Sequence, residues 1–374
     1  MNKTKRIAVC AGTRPEAIKM APVYLELSKD NRFDPILFST GQHKEMLQQV
    51  FDVFDIKPDI DLEVMSPNQT LASLTSKLIN DISQSFESLD LDAVLVHGDT
   101  TTCFSAGISA FYQKIKIGHV EAGLRTYNFE APWPEEMNRR LIDPISNWCF
   151  APTDRAAKNL VKENISEQNI FTVGNTVIDA LKFVSAKNKT HGTEIPEINR
   201  GADESKRLIL VTGHRRESFG KPFEQFCNAL INIVEHHPDT RIVYPVHLNP
   251  RVQEPVNRLL GSHPSITLIP PVEYMQMVTL MESCHLIITD SGGIQEEAPS
   301  FGKPVLVTRD TTERPEAVNS GAAKLVGTDP EMIFNAANSI LSSESAYQQM
   351  VVTENPYGDG TTSQMIANIL ASKI

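Results

Sequence analysis

Three polar stretches carry much of the chemistry open to this chain: Gly12-Thr13-Arg14-Pro15-Glu16, Gly213-His214-Arg215-Arg216-Glu217 and Asp290-Ser291-Gly292-Gly293-Ile294-Gln295-Glu296-Glu297. Each follows an apolar run and precedes a helix-like segment, the place where α/β proteins bind ligands. Guanidinium groups such as Arg14 and Arg215 pair bidentately with oxyanions, and His214 adds a further potential cation. Gly292 and Gly293 bring backbone N–H groups close to an anion, with Ser291 as N-cap and phosphate contact. Glu297, about one turn into that helix, can accept both hydroxyls of a ribose. Lys19 follows Arg14 on a helical pattern, so both can serve one cleft. Together these residues suggest a nucleotide diphosphate held between two halves of the protein. Each stretch also has a plain structural reading, as a capped helix or a turn whose arginines pair with nearby acids.

Acidic groups form a second set. His97-Gly98-Asp99-Thr100 follows the apolar run Ala93-Val94-Leu95-Val96, His119-Val120-Glu121 follows Ile115-Gly118, and Glu135-Glu136 lies in Pro132-Trp133-Pro134-Glu135-Glu136-Met137-Asn138-Arg139. Carboxylates at strand C-termini suit general acid/base work. The H-x-D and H-x-E spacings are also compatible with metal ligation, although no third dense cluster completes a shell.

The elements that must position these groups alternate between short β-rich runs and longer amphipathic segments. Strands are expected at Arg6-Cys10, Pro35-Ser39, Ala93-His97, Ile115-Val120, Trp148-Ala151 and Ile170-Val173, with helices such as Pro15-Ser28, Leu71-Phe86 and Thr100-Tyr112 between them. A polar stretch, Lys187-Lys206, reads as an exposed loop. Beyond it a second series follows at Leu208-Thr212, Arg241-Pro245, Ile266-Ile269, Leu286-Thr289 and Pro304-Thr308. Such βαβ alternation implies parallel sheets. The expected fold class is α/β, two Rossmann-like doubly wound domains with an interdomain cleft. Residues 1–172 with 358–374 would form one domain and 173–357 the other.

The 374 residues suffice for two cores, and the net charge of −11 argues against general nucleic-acid binding. No G-x-G-x-x-G, Walker loop, G-x-S-x-G or H-E-x-x-H is present, so a nucleotide here is expected as a substrate, not as a redox cofactor or energy source. Five scattered cysteines without a C-x-x-C pair suit a reducing compartment. No apolar run reaches membrane-spanning length, and the expected location is cytoplasmic.

The motifs extend in one order across nearly the whole chain. Gly12-Thr13-Arg14-Pro15-Glu16-Ala17-Ile18-Lys19-Met20-Ala21-Pro22, His97-Gly98-Asp99-Thr100, Gly118-His119-Val120-Glu121-Ala122-Gly123-Leu124-Arg125, Thr212-Gly213-His214-Arg215-Arg216-Glu217 and Asp290-Ser291-Gly292-Gly293-Ile294-Gln295-Glu296-Glu297 resemble those of the non-hydrolysing bacterial UDP-N-acetylglucosamine 2-epimerases. The resemblance implies a glycosyltransferase B type fold whose C-terminal helix returns to the first domain. It also implies homodimers and cofactor-free interconversion of UDP-N-acetylglucosamine with UDP-N-acetylmannosamine, without nicotinamide. The route it implies is elimination of UDP to a 2-acetamidoglucal followed by re-addition, for bacterial surface polysaccharide synthesis.

Carried over residue by residue, the resemblance makes Asp99, Glu121 and Glu135 the acid/base candidates, with Lys19 and His214 assisting. Arg14, Lys19, His214, Ser291, Gly292 and Gly293 would hold the substrate diphosphate or sugar, and Glu297 the ribose. It further implies allosteric activation by UDP-N-acetylglucosamine at Gln42, Glu136, Arg215 and His247. No membrane or nucleic-acid partner is expected. Rival readings are a hydrolysing epimerase, a relative acting on a diacetamido uronic acid sugar, a glycosyltransferase of the same fold, and a catalytically silent nucleotide-sugar sensor.

Overall fold

A computed structural model describes all residues except 1–3, 43, 67–68, 194, 196–204 and 215–219. Contacts divide the chain into two compact units, Met1–Phe183 with Tyr357–Ile374, and Val184–Pro356.

In the first unit the strands are β1 (Lys5–Ala11), β2 (Phe33–Ser39), β3 (Ile60–Asp61), β4 (Ala93–His97), β5 (Lys116–Val120), β6 (Trp148–Ala151) and β7 (Ile170–Thr172). Between them run α1 (Arg14–Lys29), α2 (Lys44–Val53), α3 (Leu71–Glu87), α4 (Thr101–Tyr112), α5 (Glu135–Ile142) and α6 (Asp154–Lys162). The strands pair in the order β3-β2-β1-β4-β5-β6-β7, all parallel. Helix α7 (Thr176–His191) follows β7. The boundary between the units falls within it, after Phe183, whereas the boundary expected at 172/173 precedes it. It also occupies the start of the Lys187-Lys206 stretch read as a loop, because its inward residues Val177, Ile178, Leu181 and Val184 keep a helical apolar spacing.

The second unit repeats the plan with β8 (Arg207–Thr212), β9 (Thr240–Pro245), β10 (Ile266–Ile269), β11 (Leu286–Thr289), β12 (Val305–Val307) and β13 (Ala323–Leu325) in the parallel order β10-β9-β8-β11-β12-β13. Its helices are α8 (Lys221–His236), α9 (Pro250–Leu260), α10 (Tyr274–Ser283), α11 (Gly292–Glu297), α12 (Pro315–Asn319), α13 (Pro330–Ser342) and α14 (Glu344–Gln348). The last helix, α15 (Thr362–Lys373), belongs to the first unit.

Strand alternation sorts the apolar residues into layers. Ile7 and Val9 of β1 join Met20, Val23 and Leu27 of α1 and Ile366, Ala367 and Leu370 of α15. Ala8 and Cys10, pointing the other way, join Leu74, Leu78, Ile82 and Phe86 of α3 and Ala106 and Ala110 of α4. In the second unit Ile209, Val211 and Tyr244 pack against Phe223, Phe226 and Leu230 of α8. Covering both faces is what keeps a parallel sheet stable. Strand order reverses between β1 and β4 in one sheet and between β8 and β11 in the other, and ligands bind open α/β sheets at such switch points. Among the described residues no helix is long and apolar enough to cross a membrane.

Candidate functional site

On the first unit the site starts where β1 meets α1. Gly12 has no room for a side chain, since a Cβ there would lie 2.1 Å from Thr102 Oγ1 and 2.3 Å from Thr40 Oγ1. Glu16 then folds the turn around itself: its Oε2 accepts from the Gly12 N–H at 3.0 Å, the Thr13 N–H at 2.8 Å and the Thr13 hydroxyl at 2.9 Å. Thr100, after β4, donates to Oε1 at 2.6 Å and links the two loops of the switch point. Burial pushes the Glu16 carboxyl above the ordinary range, opposed by Thr100, His97, Thr13 and Gly12. Arg14, at the start of α1, is half-buried, and its side chain makes no hydrogen bond or ion pair with any other described residue.

Lys19, one turn further along α1, forms an ion pair with Glu121; both side chains are no more than 10 % exposed. Glu121 leaves β5 in the left-handed region, with φ of +66°, which costs a non-glycine residue on the order of 1–2 kcal/mol. Asn175 Nδ2 donates to Glu121 Oε2 at 3.0 Å, and His97 Nε2 lies 3.7 Å from the same oxygen. Lys19 and Asn175 therefore hold one carboxylate whose backbone is already strained.

Asp99 follows Gly98 at the end of β4 and is gripped by consecutive residues of α5. Asn138 Nδ2 donates to its carbonyl at 2.8 Å, and Arg139 pairs with its carboxylate. Glu135 is the first residue of α5, half-buried, and its side chain has no hydrogen-bond partner among the described residues. Its neighbour Glu136 is fully buried, with Oε2 accepting from the Thr126 N–H at 3.0 Å and Oε1 from the Tyr127 N–H at 2.9 Å. That carboxylate holds a loop and has no surface left for direct ligand contact. Gln42 accepts from Thr102 Oγ1 at 3.3 Å through its Oε1.

On the second unit the corresponding elements are the ends of β8 and β11. Their last residues are tied by a 2.6 Å bond between Thr212 Oγ1 and Thr289 Oγ1. Asp290, nearly buried, accepts the His214 N–H at 2.7 Å and lies 3.6 Å from His214 Nδ1, while Tyr244 donates to the Gly213 carbonyl at 2.7 Å. The His214 ring stacks on His247 with centroids 4.9 Å apart and planes 7° from parallel. Burial and His214 push the His247 pKa below the ordinary imidazole value, against a smaller upward pull from Asp290. Arg215 lies outside the described residues.

Ser291 stands at the N-cap position of α11, but its side chain makes no cap hydrogen bond, so capping is not its task. Gly292 is closely approached by Arg314, whose guanidinium carbon would lie 3.4 Å from a Cβ there, and Arg314 Nε donates to Glu296 Oε1 at 2.9 Å. Glu297 is buried and accepts from the Tyr274 hydroxyl at 2.7 Å. Gly293 follows as the second residue of α11.

Each unit thus gathers its own share of the expected residues: Arg14, Lys19, Asp99, Glu121 and Glu135 on the first, His214, His247, Ser291, Gly292, Gly293 and Glu297 on the second. The sequence reading missed the groups that hold these in place, namely Asn175, Asn138, Arg139 and Tyr274, and the hold of Glu16 on the Gly12-Thr13 turn. Arg139 alone left a signal, sitting four residues beyond Glu135 on a helix that places both on one face.

The chain matches the family described as UDP-N-acetylglucosamine 2-epimerase over residues 25–371. It is 50 % identical over 370 residues to the UDP-N-acetylglucosamine 2-epimerase of Yersinia pestis, covering 98 % of each chain. Identity to the Escherichia coli K12 enzyme of the same name is 50 % over 368 residues, again covering 98 % of each. The crystal structure of UDP-GlcNAc 2-epimerase from Neisseria meningitidis bound to UDP-GlcNAc is 46 % identical, with a TM-score of 0.90 over 98 % of this chain and 100 % of that one.

Proposed function

This chain belongs to the UDP-N-acetylglucosamine 2-epimerase family, a family of isomerases, and we propose that it inverts C2 of the sugar by eliminating and re-adding UDP. The C2 hydrogen is only weakly acidic because no carbonyl adjoins it. Its removal becomes feasible as the C1–O bond breaks: the C2–H electron pair forms the C1=C2 bond, and the C1–O pair departs with UDP. Return of a proton to the opposite face of C2, with the UDP oxygen rebinding C1, completes the inversion. Such chemistry needs carboxylates for the proton and cations for the departing diphosphate.

The observation that carries this reading is the pair of acids at adjacent strand ends, Asp99 after β4 and Glu121 after β5, each held by a basic residue and an amide. Asp99, Glu121 and Glu135 are assigned the C2 proton transfers, with Lys19 beside Glu121. Arg14, His214, Ser291 and the amides of Gly292 and Gly293 are assigned to the diphosphate, and Glu297 to the ribose. By resemblance the product supplies bacterial surface polysaccharide synthesis in the cytoplasm, and the protein works as a homodimer. The exposed apolar side chains of Phe111 and Tyr112 on α4 and Leu141 on α5 suit burial in such a dimer. A regulatory use of the nucleotide sugar is part of the same reading, with Gln42, Arg215 and His247 as residues to substitute and Glu136 acting through the loop it holds.

Proton NMR of the protein with UDP-N-acetylglucosamine in deuterated water tests it. A mixture of gluco and manno nucleotide sugars with deuterium at C2 is expected. Free UDP with N-acetylmannosamine would make the enzyme a hydrolysing one, and an unchanged spectrum would overturn the reading.

A further inference from the structure

Behind the Asp99 and Glu121 turns lies a buried charge cluster that the reaction scheme above does not use. His119, on β5, is fully buried with both ring nitrogens engaged. Its Nδ1 lies 2.6 Å from Asp143 Oδ1, and its Nε2 lies 2.7 Å from the Gly98 carbonyl oxygen. A carbonyl and an ionised carboxylate only accept hydrogen bonds, so both nitrogens must donate, and a ring that donates twice carries two protons. Asp143 is the right partner for such a cation. Its second oxygen accepts from Arg125 Nη2 at 2.5 Å, and although burial alone would push its carboxyl up, His119 and Arg125 hold it below the usual range.

Arg125 also forks onto Glu163, with Nε to Oε1 at 2.9 Å and Nη2 to Oε2 at 2.7 Å. His119 and Arg125 balance Asp143 and Glu163, which is how charge is tolerated away from water. Other polar groups on the cluster include the Leu124 carbonyl, which accepts from Arg125 Nη1 at 2.8 Å, Arg140, 3.5 Å from Glu163, and two buried thiols, Cys149 on the Asp143 carbonyl and Cys103 on the Gly98 carbonyl at 3.4 Å.

The bonds that His119 makes lead straight to the acids. Gly98, held through its carbonyl at φ of +65°, immediately precedes Asp99, and Glu121 follows His119 by two residues on the same chain. We propose that His119 is a doubly protonated positioning residue for the epimerisation, locking the Asp99 turn to the Glu121 turn through the Asp143–Arg125–Glu163 chain. The inference rests on the acid/base reading of Asp99 and Glu121. The ring meets its two acceptors from two separate nitrogens, whereas the two donors of a Gln side chain share one nitrogen.

The test has two arms. In wild-type protein labelled with 15N-histidine at neutral pH, one ring is expected to show two slowly exchanging N–H signals, correlated through its shared Hε1. A single N–H on the His119 ring would overturn the proposal, and this arm needs no activity. In the second arm His119→Gln should lower kcat by about 10- to 100-fold, leave KM within about twofold, leave UDP affinity unchanged and be less than multiplicative with Asp99→Asn. An unchanged kcat, or a loss matching the fraction unfolded by calorimetry, would sink it. If His119→Gln does not fold, Glu163→Gln tests the far end of the same chain, and there too an unchanged kcat counts against the proposal. Failure of the epimerase reading itself would show separately, as wild-type protein that places no deuterium at C2.

Discussion

Lys19 and Glu121 form an ion pair across two elements, the first helix and the end of β5, with both side chains nearly withdrawn from water. A carboxylate held this way is fixed in place, which suits a group that takes a proton from carbon. Replacing Glu121 with Gln should lower C2 deuterium incorporation by about 10²–10⁴-fold. Lys19→Met should cost a comparable factor, and the double variant should cost less than the product of the two. Exchange rates measured by NMR on the three variants decide this, and strictly multiplicative losses would mean that the two side chains act independently.

Glu297 is aimed by the Tyr274 hydroxyl. Tyr274→Phe removes the bond that orients the Glu297 side chain, and UDP affinity should fall by about tenfold, about 1.4 kcal/mol. Isothermal titration with UDP measures it. Unchanged affinity would remove Glu297, or its orientation by Tyr274, from nucleotide binding.

The stacked rings of His214 and His247 make a titration prediction. Burial and the His214 ring both lower the His247 pKa, so His214→Ala removes one of two downward influences and leaves the other. The His247 midpoint should therefore rise in the variant without regaining the ordinary imidazole value. Following the Hε1 signal against pH checks this, and a midpoint that stays or moves down would show the rings to be uncoupled.

Asp143 links acid stability to the cluster behind the turns. Its folded-state pKa is depressed, so its stabilisation is present above the unfolded carboxyl value, about 3.9, and is lost as pH falls through the lower folded value. Asp143→Asn should cost about 3–5 kcal/mol at neutral pH by leaving His119 and Arg125 without their shared anion. That difference should shrink at about pH 3 and below. Urea midpoints at the two pH values test it, and a gap independent of pH would point to packing instead of charge.

Much of the frame is legible in the sequence. Ala93–His97, Trp148–Ala151, Ile266–Ile269 and Leu286–Thr289 fall where the apolar runs place them, since a strand covered on both faces must be apolar throughout. The two short strands Ile60–Asp61 and Ala323–Leu325 were not read, because edge strands of two or three residues leave no run to detect. The continuation of α7 towards His191 was hidden because even its inward position is polar, where buried Asn188 donates to the Met275 carbonyl and Thr279.

The same division holds at the site. Residue type and place after a strand are local properties, and they were enough to single out Arg14, Asp99, Glu121, His214, Ser291 and Glu297. What each side chain touches depends on residues far apart in sequence: Lys19 with Glu121, Asn138 and Arg139 with Asp99, Tyr274 with Glu297, His119 with Asp143. Sequence alone determined the alternating α/β plan, the family resemblance and the list of candidate groups. Only the tertiary structure decided which acids are gripped and which, like Glu136, are spent on holding a loop, because hydrogen bonds and burial are set by neighbours that the chain brings together only when the parallel strands pair.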